Sequence, residues 1–234
     1  FLGAGGIIHA AGTRVISQMG GLAKGMKSSA LFFFLGSIAI SGLPPLNGFA
    51  SEFLLYVGFF RESLAPLPII ALGAPALGLV GGMAALTFVK LYGMVYLGEA
   101  RTAAAAHPHE VPWTMLFPMG LLAVLCIVMG IAPSQVLALI QPATKVLAPL
   151  ASDGAALPES FSSFPWLGVC LLGSVSVLGL LMRSKLSKAE KNGTWGCDYL
   201  APTPRIQYTA AGFSELWASL TGGLSRCVMQ EPKI

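Results

Sequence analysis

Of the 234 residues, 55% are apolar and 10% are charged, whereas a soluble domain carries about a quarter charged residues. The formal net charge of +4 is small, and its basic residues sort by position along the chain, so the excess reflects topology and does not imply nucleic acid. Together these features exclude an ordinary soluble domain and predict an all-α polytopic membrane protein.

The chain opens on Phe1 and runs apolar through Ala11. Residues 1–11 read as the tail of a transmembrane helix whose upstream part is absent; no basic leader marks them as a cleavable signal. Residues 12–27 form a loop carrying Arg14, Lys24 and Lys27.

Residues 28–60 are predicted to be a broken crossing, with half-helices on either side of LPPLNG. Pro44 and Pro45 cannot donate backbone hydrogen bonds, and Gly48 follows them. Breaking a helix in hydrocarbon is tolerated only where protein or water replaces the lost bonds. One carboxylate, Glu52, lies just beyond, among Phe49, Phe53, Leu54 and Leu55.

A third crossing over 67–97 would be about 45 Å long if wholly helical, more than the hydrocarbon core, and Gly81 and Gly82 mark its expected flexible point. Lys90 lies beyond them. Further crossings are predicted over 115–132 and 166–182. The intervening 133–164 is a loop with a surface helix, too polar and interrupted to span.

Alternating sides along these crossings place Arg14, Lys24, Lys27, Arg101, Arg183, Lys185, Lys188, Lys191, Arg205, Arg226 and Lys233 on one side. Only Arg61 and Lys145 fall on the other. The positive-inside rule makes the first side cytoplasmic and the second periplasmic, so 12–27 and the tail 183–234 are cytoplasmic. In that tail Phe213, Leu216, Trp217, Leu220 and Leu224 recur at helical spacing, an amphipathic helix suited to packing on its own chain or on a partner.

Cys126, Cys170, Cys197 and Cys227 have no metal-site spacing. His107, His109 and Glu110, in HPHE, read as a solvated loop rather than a metal site. No dinucleotide, phosphate-loop, haem or nucleophile motif is present, so no cofactor is expected in this chain.

The ionisable groups within predicted spans are Glu52, Lys90 and His9. Glu52 is about 12 Å along the helix from Phe60, and Lys90 about 10 Å from Leu97. Holding fixed charge at such depth is costly, so these groups suit a proton relay. Local roles stand beside that reading: Glu52 in the first turn of the second half-helix, begun by Asn47 or Ser51; Lys90 snorkelling; His9 at the interface.

GGIIHAAGTRVISQMGGL followed by a helix and ISGLPPLNGFASEFLL resembles the antiporter-like membrane subunits of respiratory complex I, membrane-bound hydrogenases and multisubunit cation/proton antiporters. FVKLYGMVYLGEAR and TWGCDYLAPTPRIQYTAAGFSE are most similar to the hydrogenase-4 and formate-hydrogenlyase branch. The resemblance implies inverted five-helix repeats, each with a broken helix, and half-channels joined by a polar axis. It matches Glu52 to the proton-transfer group of the second broken helix, on the exit side, His9 to the histidine after a lysine-bearing helix, and Lys90 to a hydrogenase-type variant. The upstream half-channel would precede Phe1.

The function so implied is proton translocation by a non-catalytic subunit of an oxidoreductase complex of the hydrogenase or NADH dehydrogenase kind. It sits in the bacterial or archaeal inner membrane, among lipid, other antiporter-like subunits and hydrophilic redox subunits that hold the iron–sulfur and other redox centres. A sodium/proton antiporter subunit and a structural anchor of a hydrogenase are the alternatives.

Overall fold

The computed structural model describes residues 1–62, 68–147, 164–186, 206–209, 212 and 215. Residues 148–163 of the predicted loop, the tail beyond Leu186 with its Phe213–Leu224 stripe, Cys197 and Cys227 lie outside them, apart from the short pieces named. Among the described residues there are eight α-helices and no strand. Three apolar stretches are long enough to cross a membrane, Ile69–Val95, Trp113–Ile131 and Trp166–Arg183, making this a multi-pass helical protein.

The broken crossing consists of α2 (Lys27–Ile40) and α3 (Asn47–Glu62). Gly42, not the proline pair, stops α2. It adopts the left-handed conformation with φ 66°; its N–H bonds to the Ala39 carbonyl at 3.2 Å, and the Leu43 N–H bonds to that of Ile38 at 3.3 Å. This is a Schellman ending, which satisfies the carbonyls that a helix end would otherwise strand in an apolar medium. Pro44 and Pro45 then prevent the helix from resuming until Asn47. Gly48 brings α3 back against the end of α2, where a Cβ would collide with the Ala39 carbonyl oxygen.

The third predicted crossing is a 3-10 stretch, Pro68–Leu72, followed by α4 (Gly73–Val95). The α-helix is about 35 Å long and makes up most of the Ile69–Val95 span, and its hydrogen bonding runs through Gly81 and Gly82 without a break. Instead of flexing there, α4 packs antiparallel to both halves of the broken crossing. Phe59 and Tyr56 of α3 meet Gly73 and Gly78, while Phe33 and Phe34 of α2 meet Tyr96 and Tyr92 at ring distances of 5.4 and 5.1 Å.

After the short α5 (Ala103–Ala106), α6 (Trp113–Ile131) takes Phe32 against Gly120 and Leu46 with the Pro45 carbonyl against Gly130. Following it, α7 (Pro133–Leu147) is a helix of 15 residues, below the length of about 20 that a crossing needs. The last, α8 (Phe164–Leu186), sets Gly168 against Pro45. Two further helices thus pack on the break closely, at glycines.

The packed core lies at the basic end of the helices: Ile7, Met19, Leu22, Met26, Val95, Tyr96 and Val111 form one cluster. Glu110 fastens it. The carboxylate accepts the Ser28 N–H at 2.8 Å, the Ser29 N–H at 3.4 Å and the Ser29 hydroxyl at 2.6 Å, capping α2 from 81 and 82 residues away. HPHE is therefore not merely solvated: Pro108 packs on Gly25 and Glu110 compensates the free amides of the helix start. Glu110→Ala should cost about 1–2 kcal/mol, visible as a lowered melting temperature of the purified protein.

Arg101 ties the same end together. Its guanidinium donates to the Met19 carbonyl at 3.0 Å, to Met94 in the last turn of α4 at 3.2 Å and to Tyr208 at 3.0 Å. Gln207 joins by accepting the Glu99 N–H at 3.0 Å. The neighbouring Lys24–Glu99 ion pair, 3.4 Å long and about two-thirds exposed on both sides, adds little. Arg101→Ala should destabilise by about 2–3 kcal/mol and expose residues 206–209 to limited proteolysis.

Candidate functional site

Glu52 is the sixth residue of α3, in its second turn, and the first turn holds no acid. Its side chain is therefore too far along to cap the helix, which removes that local role. The other expected caps fail as well. The Ser51 hydroxyl donates back to the Gly48 carbonyl at 2.9 Å, and Asn47 Oδ1 is buried without a hydrogen-bond partner among the described residues.

The half-buried Glu52 carboxylate turns into the break instead. It lies against Gly42, where a Cβ would overlap it, and faces Gly81 across α4, where a Cβ would stand 3.9 Å from Oε2. Glu52 thus occupies a notch between the left-handed glycine ending α2 and a glycine of the neighbouring helix. The Schellman turn leaves polar backbone near the acid, Gly42 leaves it room, and Gly81 borders it at ordinary contact distance. A carboxylate so placed is suited to taking up and releasing a proton beside irregular backbone, the arrangement by which membrane helices hold ions and water.

Lys90 lies nine residues along α4 from Gly81, about 14 Å toward the basic end, and is half-buried. The structure therefore sets Glu52 against the helix that carries Lys90. His9 is not brought to either group. It is exposed in the last turn of α1 (Leu2–Ala11), its ring 6.0 Å from that of His109 at an interplanar angle of 71°. Pro44, Pro45 and Gly48 all lie at the break, with Gly42 added.

Sequence reasoning missed Gly42 and the structural roles of Gly81 and Glu110. A glycine two residues before a proline after an apolar helix is a C-cap signal that pointed to Gly42. Glu110 had no such signal, because its partners are remote in sequence. Among the described residues no group of three His, Cys, Asp or Glu is placed to hold a metal ion.

These features define a helical membrane protein whose broken crossing holds an acid at the break. Residues 1–78 match the family described as NADH:quinone oxidoreductase/Mrp antiporter, TM. The chain is 34% identical over 215 residues to hydrogenase-4 component B of Escherichia coli K12, covering 85% of this chain and 32% of that protein. Formate hydrogenlyase subunit 3 of the same organism is 29% identical over 221 residues, 92% of this chain and 35% of that protein. NADH-quinone oxidoreductase subunit L of Mycobacterium tuberculosis is 38% identical over 130 residues, 53% of this chain and 19% of that protein. The chain is thus similar over most of its length to antiporter-like membrane subunits of this kind. It spans about a third of the length of the two hydrogenase-related proteins.

Proposed function

We propose that this chain is part of a proton-translocating subunit of a redox-driven membrane complex of the hydrogenase-4 or formate-hydrogenlyase kind, with Glu52 as its proton-transfer group and Lys90 next along the axis. The observation that carries this reading is the Glu52 carboxylate lodged at the helix break between Gly42 and Gly81. Redox chemistry in partner subunits, which hold the iron–sulfur centres, changes charge and hydration along the axis, and Glu52 takes a proton from the interior and releases it. The basic end faces the cytoplasm, and the membrane is the inner one.

The test is proton translocation driven by substrate oxidation in vesicles containing the assembled complex, with and without sodium. Translocation that does not depend on sodium is expected. A strict sodium requirement would overturn the reading in favour of cation/proton antiport, for which the same notch would serve.

A further inference from the structure

We propose that the buried hydroxyl of Tyr96 is joined to the Glu110 carboxylate by an internal water, and that this hydrated step admits protons from the basic end to the Lys90–Glu52 axis. The inference rests on the relay reading above. Tyr96 is 1% exposed, just past the end of the Ile69–Val95 span, and its hydroxyl oxygen is buried without a hydrogen-bond partner among the described residues. A buried hydroxyl left unpaired is costly, and such orphans mark sites that ordered water completes.

The surroundings supply the other partner of that water. Tyr96 shares its packed cluster with Met26, Ala30 and Val111, and Val111 adjoins Glu110. Burial first, and the Glu110 charge second, push the Tyr96 hydroxyl up from its ordinary value and keep it neutral. Tyr92 follows one turn inward, its ring centroid 5.3 Å from that of Tyr96, and Lys90 is two residues further.

A neutral hydroxyl both donates and accepts. When an excess proton arrives on the water from the basic end, the hydroxyl can take a proton from that water on one side while giving its own toward Tyr92 on the other, which hands its own on in turn, so the water returns to neutral, no phenolate forms and the charge moves on with the proton. Glu110, held by Ser28 and Ser29, is the positioning residue that orients the water; Tyr96 passes the proton. From Tyr96 to Gly81, beside Glu52, is about 23 Å along α4, most of the thickness of the hydrocarbon core.

The test uses the full-length subunit in its assembled complex. Tyr96→Phe keeps the ring and its contact with Phe33, so it removes only the hydroxyl. Proton flux is expected to fall on the order of tenfold at unchanged assembly, with no rise in melting temperature. Adding Glu110→Gln is expected to lower flux no further, because the two groups act in series. Wild-type flux in Tyr96→Phe overturns the step. So does a raised melting temperature, which removal of a dry, unpaired hydroxyl would give, and so does a double variant whose losses multiply. Glu52→Gln measured alongside separates the two levels: flux lost there but normal in Tyr96→Phe refutes this step alone, whereas normal flux in Glu52→Gln removes the relay beneath it.

Discussion

Glu52→Gln is expected to lower proton translocation by roughly 100-fold while leaving the amount of assembled subunit unchanged. Glutamine keeps the shape that fits between Gly42 and Gly81. It cannot exchange a proton at that position, so folding and flux should separate. Glu52→Asp keeps the acid but withdraws it by one methylene and should retain part of the flux. The check is acidification or alkalinisation of vesicles during turnover, with electron transfer measured in parallel. Electron transfer that continues without proton movement would mark uncoupling at Glu52, whereas equal loss of both would mark a failure of assembly.

The second large effect concerns the break itself. Gly48→Ala places a methyl group on the Ala39 carbonyl, and every atom it meets is backbone, so neither a rotamer change nor a small side-chain shift relieves it. A loss of about 3 kcal/mol and a sharp fall in the folded subunit recovered from membranes are expected. Gly42→Ala should behave differently. The left-handed backbone costs about 1 kcal/mol with a Cβ present, and that Cβ also displaces the Glu52 carboxylate. The subunit should therefore still assemble, but with flux reduced nearly as far as in Glu52→Gln. Melting temperature and flux measured on both glycine variants check the contrast.

The existence of the broken crossing was legible because proline pairs and glycine act locally, through missing donors and permitted dihedrals. Which residue ends α2 was a finer question, and the prolines drew attention from Gly42 two residues earlier. Composition also does not separate the two parts of the third crossing: apolar residues run from 67 to 97, while the chain is 3-10 over Pro68–Leu72 and α-helical from Gly73. Gly81 and Gly82 read as a hinge in sequence. In the fold Gly81 borders an acid on another helix, which only packing reveals.

Glu52 itself could be found because a lone carboxylate in an apolar run is conspicuous in hydrocarbon. Tyr96 was not, since an aromatic residue at the end of a membrane helix is ordinary by composition. What sets it apart is a buried oxygen without a partner, a property of the packed structure. Glu110 and Arg101 escaped for another reason. Their partners, Ser28 and Ser29 for one and Met19 and Tyr208 for the other, lie 81 to 107 residues away, beyond any local capping pattern.

The measurement that bears most directly on the Glu52 assignment is infrared difference spectroscopy of the assembled complex during turnover. A carboxyl band that changes with turnover, shifts in deuterium oxide and vanishes in Glu52→Gln is expected. A turnover spectrum that is identical in wild type and Glu52→Gln would show that Glu52 keeps one protonation state throughout, and would contradict the relay.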